Sequence, residues 1–142
     1  MKKATILLLF ALFSACSIPQ ENLEVETSST PLDLGEGTYS GKFYQTYPGQ
    51  STLEFAEVSL GFFNGHFSGT SDIALYPALC EGTYSRPHEY LIEFQNACFF
   101  TANFDWSLII DGRYQVKYEK DAIHLVQKMS NGFENHFIIT KD

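Results

Sequence analysis

The sequence predicts an all-β domain: an antiparallel up-and-down meander of eight or nine short strands that forms a small barrel or a partly open one. Two observations carry this. From Gly37 onward apolar residues alternate with polar ones, the period of half-buried strands, with turn-forming Gly, Pro, Asn and Asp between the runs. No stretch after Gly37 has the apolar spacing of an amphipathic helix. Sequential antiparallel strands with one apolar face remove their exposed edges by closing into a barrel.

The strands do not begin at the start of the chain. Met1-Lys2-Lys3 is basic, Ala4 to Phe13 is an apolar run, and Ser14-Ala15-Cys16 follows. This run is too short for a bilayer core, which takes about 20 apolar residues. It has the form of an export signal, expected over residues 1–15 and removed from the mature chain. Residues 16–36 have no period and are polar, acidic and rich in Ser and Thr, as in Glu24, Glu26 and Thr27-Ser28-Ser29-Thr30-Pro31. Such a segment buries too little apolar surface to offset chain entropy, so a flexible tether is expected there. The barrel domain is assigned to residues 37–142.

Within the domain, Thr38 to Phe43 puts Tyr39, Gly41 and Phe43 on one face, and Tyr47-Pro48-Gly49-Gln50 is a turn. Thr52 to Leu60 resumes the strand, with Phe55-Ala56-Glu57-Val58 breaking the alternation like a bulge. Gly61 to Gly65 is read as a turn, Gly65 to Gly69 as a strand and Thr70 to Pro77 as coil. Glu81 to Ser85 then turns at Arg86-Pro87-His88 into Glu89 to Gln95, where Tyr90, Ile92 and Phe94 share a face. Phe99 to Phe104 is an aromatic loop and Trp106 to Ile110 a strand. Asp111-Gly112 is a tight turn, because this pair tolerates the positive φ of hairpins. Arg113 to Glu119, Ala122 to Lys128 and Phe133 to Lys141 complete the meander. Gly-x-Tyr opens a hairpin three times, at Gly37, Gly82 and Gly112.

Cys80 and Cys98 flank the turn near Arg86-Pro87-His88 and lie roughly opposite each other if the strand ends bulge. A disulfide is expected between them, since neither has a histidine at ligand spacing. A loop of this size gains about 3 kcal/mol from closure on chain-entropy grounds. Cys16 is then the odd cysteine.

Leu12-Phe13-Ser14-Ala15-Cys16 resembles the lipobox of bacterial lipoprotein signals, a large apolar residue and two small ones before the lipid-bearing cysteine. The resemblance implies a diacylglycerol thioether on Cys16 and an acylated (palmitate-type) amino terminus. Several acyl chains anchor a protein stably, at about 0.8 kcal/mol per buried methylene. Together with Gly37-Thr38-Tyr39-Ser40-Gly41-Lys42-Phe43 and the meander, the chain resembles a lipocalin-like lipoprotein of the bacterial envelope. Tyr76-Pro77-Ala78-Leu79-Cys80 and the run from Cys98 to Trp106 are similar to elements of small envelope lipoproteins. Ser17 after the lipid cysteine resembles the pattern of outer-membrane rather than inner-membrane lipoproteins.

Composition limits the partners. A formal net charge of −8 opposes a polyanion, because phosphate binding depends on Lys and Arg, so no nucleic acid is expected. With 15% aromatic residues the interior is ring-rich. Tyr39, Phe43, Phe55, Tyr84, Phe94, Trp106, Tyr114 and Tyr118 either fill the barrel, with Phe67, Tyr90 and Phe137, or line a pocket for a small apolar ligand. Phe99, Phe100 and Phe104 either cap the barrel or form a patch for a partner.

No enzyme is expected. The sequence has no Gly-x-Ser-x-Gly elbow and no phosphate-cradling loop. Parity turns Asp105 and Asp111 to solvent and leaves Glu57 as the one acidic candidate for the interior. No metal or cofactor is expected, since no His-x-His or Cys-x-x-Cys occurs. His124 and His136 lie on neighbouring strands and can approach, but parity points His124 away from the core. The expected function is that of a lipid-anchored envelope protein binding a small hydrophobic molecule. The alternative is a protein-interaction or inhibitor module of the envelope with a filled barrel.

Overall fold

Eight antiparallel strands follow one another around a closed barrel in chain order, and the last pairs with the first. They are β1 (Gly37–Thr46), β2 (Ala56–Phe63), β3 (His66–Ser71), β4 (Glu81–His88), β5 (Leu91–Asn96), β6 (Gly112–Tyr118), β7 (Ile123–Lys128) and β8 (Glu134–Lys141). This computed structural model describes residues 33–50 and 54–142. The expected signal segment, Cys16 and most of the tether therefore lie outside the described residues.

Alternation builds the interior. Ala56, Val58, Leu60 and Phe62 on β2, Tyr114 and Val116 on β6, Ile123 and Leu125 on β7, and Phe137 and Ile139 on β8 are buried on the inner face. The Gly-x-Tyr repeats sit at or beside the starts of β1, β4 and β6. Their Tyr39 and Tyr114 are fully buried, and Tyr84 is half-buried. Closure joins β1 to β8 over eight aligned pairs, from Tyr39 opposite Lys141 to Thr46 opposite Glu134. Barrel closure leaves no strand edge open to pair with another chain.

The meander sorts the connections by end. Residues 47–55, 72–80, 97–111 and 129–133 join strands at one end. The short turns 64–65, 89–90 and 119–122, together with residues 33–36 entering β1, lie at the other.

Several expectations are corrected. Trp106 to Ile110 is not a strand: Trp106–Leu108 is a short 3-10 helix capped by Asp105, whose carboxylate accepts from the Ser107 amide at 3.0 Å. Asp111-Gly112 is therefore no hairpin turn but the end of the long connection 97–111. β2 carries no bulge; it starts at Ala56 and continues through Phe62, and the hairpin turn is Asn64-Gly65, both at positive φ. The irregularity lies in β4 instead, where register shifts between Ser85 and His88. Arg86-Pro87-His88 thus belongs to a bulged strand rather than a turn, and Pro87 sits where a ladder N–H is dispensable. Tyr90 lies in the following turn and is exposed, not inward. Ordered packing also starts before Gly37, because Leu34 is 3% exposed and joins the core.

Close approach of β1 to β8 at Gly41 generates a prediction. A Cβ there would run into the Ile138 carbonyl and come within 2.8 Å of Ile139 Cα, whereas one at Gly35 meets nothing within 4 Å. Gly41→Ala is expected to cost about 1–3 kcal/mol in urea unfolding through overpacking. Gly35→Ala should leave the midpoint nearly unchanged.

Candidate functional site: the sewn end of the barrel

The end bearing the long connections is closed by polar groups that point along the barrel axis. Gln45 and Asn135 continue the inward faces of β1 and β8, yet are 2% and 1% exposed. A buried amide without partners costs about 1–3 kcal/mol, so these two require hydrogen bonds. The Gln45 amide nitrogen donates to Asn135 Oδ1 at 2.8 Å and to Ser107 Oγ at 3.2 Å. Asn135 Nδ2 donates to the Ser107 carbonyl at 2.7 Å and to Gln127 Oε1 at 3.3 Å. The 97–111 connection is thereby fixed as a plug, with Ser107 at its centre and Asp105 orienting the Ser107 hydroxyl at 2.7 Å.

The 72–80 connection is seated beside it. The Tyr76 hydroxyl accepts from the Gln45 backbone N–H at 3.2 Å and donates to the Glu54 carbonyl at 3.0 Å, and its ring packs edge-on against Phe43. Ala78 donates its amide to the Leu108 carbonyl at 3.0 Å and forms a parallel bridge with Ile109.

Cys80 and Cys98 are disulfide-bonded, with Cα atoms 6.3 Å apart. Gly82 pairs with Asn96, and two steps further out the same register sets Cys80 against Cys98. The bridge therefore sews the 72–80 connection to the 97–111 connection.

The predicted pocket residues part company. Tyr39, Phe43, Phe94 and Tyr114 are buried in the interior. Their rings run in contact through Phe62 and Phe137: Tyr39 to Phe62 at 5.5 Å, Phe94 to Tyr114 at 5.4 Å and Phe43 to Phe137 at 4.8 Å between centroids. Burial pushes the Tyr114 phenol well above the ordinary tyrosine range. Tyr84 packs against Phe62, and Tyr118 lies at the opposite end, accepting from Arg86 at 2.7 Å. Phe55 and Trp106 are not interior: they are 50% and 59% exposed. Phe55 precedes β2 on the outward parity of Glu57, and Trp106 opens the 3-10 helix rather than a strand. Phe62 lies in Gly61 to Gly65, which has the composition of a turn, yet the alternation from Ala56 carries on to it.

The aromatic loop divides too. Phe100 and Phe104 stack on each other at 5.2 Å and are half-buried. Phe99, fully exposed, caps nothing. With Phe55, Leu75 and Trp106, it leaves large apolar side chains in solvent at the sewn end.

The opposite mouth is closed by the incoming chain. Arg86, re-aimed by the bulge, donates to Asp33 Oδ1 and the Leu34 carbonyl, both at 2.7 Å, and to the Glu89 carbonyl at 2.8 Å. The Tyr39 hydroxyl donates to the Gly35 carbonyl at 2.9 Å.

The carboxylates considered for acid–base chemistry have structural partners or face solvent. Asp105 caps the 3-10 helix, Asp111 accepts from the Asn96 amide at 2.9 Å, and Glu57 is outward at 3.4 Å from Lys42. Among the described residues no three His, Cys, Asp or Glu side chains converge on one metal position. His124 and His136 do meet on the outer wall, His124 Nε2 lying 3.1 Å from His136 Nδ1. His136 is 8% exposed rather than solvated, covered by the Tyr44 ring stacked on it at 4.6 Å. Parity alone gave no sign of this cover, which comes from neighbouring strands. Burial lowers both imidazoles below the ordinary histidine value of 6.5, and the charge of each neighbouring cation adds to the effect.

Comparison with family models, curated proteins and solved structures finds no match. The closed eight-stranded antiparallel barrel is compatible with a lipocalin-like barrel.

Two outcomes are expected. Cys98→Ser should lower stability by about 3 kcal/mol, measured by thermal or denaturant unfolding, and raise hydrogen exchange at Ala78 and Ile109 before the strands. The depressed histidines bind fewer protons folded than unfolded, so their contribution is present above pH 6.5 and lost as pH falls below it. The groups facing the pair are Glu119, Glu134, Lys117 and Lys128. Melting temperature should fall on acidification from pH 7 to about 5, and the fall should be shallower in His124→Gln.

Proposed function

We propose that this protein is a protein-interaction module of the bacterial cell envelope, anchored by lipid on Cys16, whose sewn end is the contact surface. The observation that carries the reading is the pairing of a ring-filled axis with Phe55, Leu75, Phe99 and Trp106 in solvent at the sewn end, against Phe63 and Tyr90 at the other. An eight-stranded barrel is just wide enough for side chains to fill it, and Tyr39, Phe43, Phe62, Phe94, Tyr114 and Phe137 occupy that space here. A small apolar ligand on the axis would have to share that space with these rings, which the interaction reading does not ask.

The position of the chain's entry gives a direction. Residues 17–32 separate Cys16 from Asp33, and Asp33 lies at the mouth opposite the long connections. A lipid on Cys16 would join the domain at the mouth opposite Phe99, Trp106, Leu75 and Phe55, leaving the sewn end clear of the tether's attachment. Aromatic side chains are the commonest energetic anchors of protein interfaces. The outer membrane is the favoured location, on the strength of Ser17 following the lipid cysteine.

A photoreactive residue placed at Phe99 in the full chain should give one discrete protein adduct in envelope membranes. The same probe at Tyr90, on the other end, should give none, and Trp106→Ser should reduce the Phe99 adduct at least about tenfold. Equal adducts at both positions, or labelling of lipid alone, would sink the reading. So would saturable one-to-one binding of a fatty-acid probe that survives Trp106→Ser, since that returns the ligand to the interior. Mass spectrometry of the amino-terminal peptide checks the anchor: a bare Cys16 removes it.

A further inference from the structure

Outside the barrel, on the wall made by β1, β8 and β7, two imidazoles face each other with a carboxylate behind each. His124 Nε2 and His136 Nδ1 are 3.1 Å apart. The second nitrogen of His124 lies 3.6 Å from Glu119 Oε1, and that of His136 lies 3.5 Å from Glu134 Oε2 and 3.4 Å from Thr46 Oγ1. Both imidazole side chains are nearly buried, at 13% and 10% exposure, and the Tyr44 ring covers that of His136.

This arrangement sets a conflict between tautomers. A carboxylate beside an imidazole nitrogen favours the proton on that nitrogen. If Glu119 and Glu134 each have their way, both facing nitrogens carry lone pairs and repel across 3.1 Å. A shared N–H···N bond relieves the repulsion only by taking the proton from one carboxylate's side. A cation between the rings satisfies both lone pairs and both carboxylates together. Two imidazole nitrogens on a tetrahedral ion at 2.0–2.1 Å stand about 3.3 Å apart, close to the spacing present.

We infer that His124 and His136 form a binding site for a divalent late first-row ion such as zinc, held by His124 Nε2 and His136 Nδ1. Glu119 and Glu134 act behind the ligands, fixing each ring's tautomer, and solvent completes the coordination. Imidazole suits zinc, nickel and copper, whereas magnesium and calcium prefer oxygen. Lys117, opposite His124, and Lys128, held by Glu134 at 2.9 Å, oppose added positive charge and limit the site to a modest affinity.

Zinc chloride titrated into the full chain, followed by ring 15N shifts, tests this. His124 Nε2 and His136 Nδ1 should shift to metal-bound values at one ion per chain, while His66 and His88 stay put and magnesium does nothing. His124→Gln should abolish the shift at His136, and Glu119→Gln should weaken binding about 10-fold or more with the fold intact. Shifts of equal size at His66, or a pair that keeps its N–H···N signature at saturating zinc, would overturn the assignment. So would Glu119→Gln binding at full strength.

Discussion

Everything else in this molecule depends on β8 returning to β1. The eight aligned pairs from Tyr39–Lys141 to Thr46–Glu134 convert a meander into a tube, and the tube separates the chain's contents by direction. Because successive strands around that tube run antiparallel, each odd-numbered connection must fall at the same end. The long segments 47–55, 72–80 and 97–111 have no other place to be. The tight turn Asn64-Gly65 and the entry segment 33–36 are equally forced to the opposite mouth. The asymmetry between a sewn end and an entry end therefore follows from strand order and needs no special interaction to maintain it.

Each mouth then poses the same physical problem, which is to end an apolar interior without stranding polar backbone. At the entry end, one guanidinium solves it. Arg86 gathers Asp33, Leu34, Glu89 and Tyr118, and the β4 bulge is what points it there. At the sewn end the solution is distributed: Gln45, Asn135, Gln127 and Ser107 exchange hydrogen bonds across three strands and a loop. A network of neutral groups on an irregular loop is weaker than strand pairing and opens sooner. The Cys80–Cys98 bridge lies where that weakness is, at the foot of both plugging loops, rather than between strands that already pair.

What the sequence disclosed, and what it withheld, follow the same division. Strands whose inner and outer faces differ, such as β1 and β6, are legible from alternation, because the solvent and the core supply the contrast. The bridge was legible from cysteine parity. Trp106 to Ile110 imitates a strand in composition, yet it is governed by Asp105 and by the need of Asn135 for a carbonyl partner. The second is a contact between residues far apart in sequence, and the first is a cap that strand parity does not register. Phe55 looks inward in the sequence, but β2 starts at Ala56 and puts Phe55 on the outward parity of Glu57. Arg86-Pro87-His88 has the makeup of a turn, and only register shows it to be a bulge. The burial of His136 comes from Tyr44 on β1, a neighbour that no local pattern names.

The exposed rings at the sewn end gain their meaning from the rigidity beneath them. A phenylalanine on a loose loop costs little to leave in water, because it can fold back, and it costs more to order when a partner arrives. The backbone of Phe99 has less of that freedom. Phe99 is the residue next to a disulfide whose partner loop is tied by Ala78 to Leu108, and Trp106 heads a helix turn whose next residue, Ser107, is fixed to Gln45 and Asn135. The ordering entropy for these side chains' backbone has already been spent in folding, so a partner would recover more of the apolar contact energy as affinity. Buried rings in contact along the axis are a suitable base for that arrangement, since close packing passes the position of β1 and β8 on to the plug.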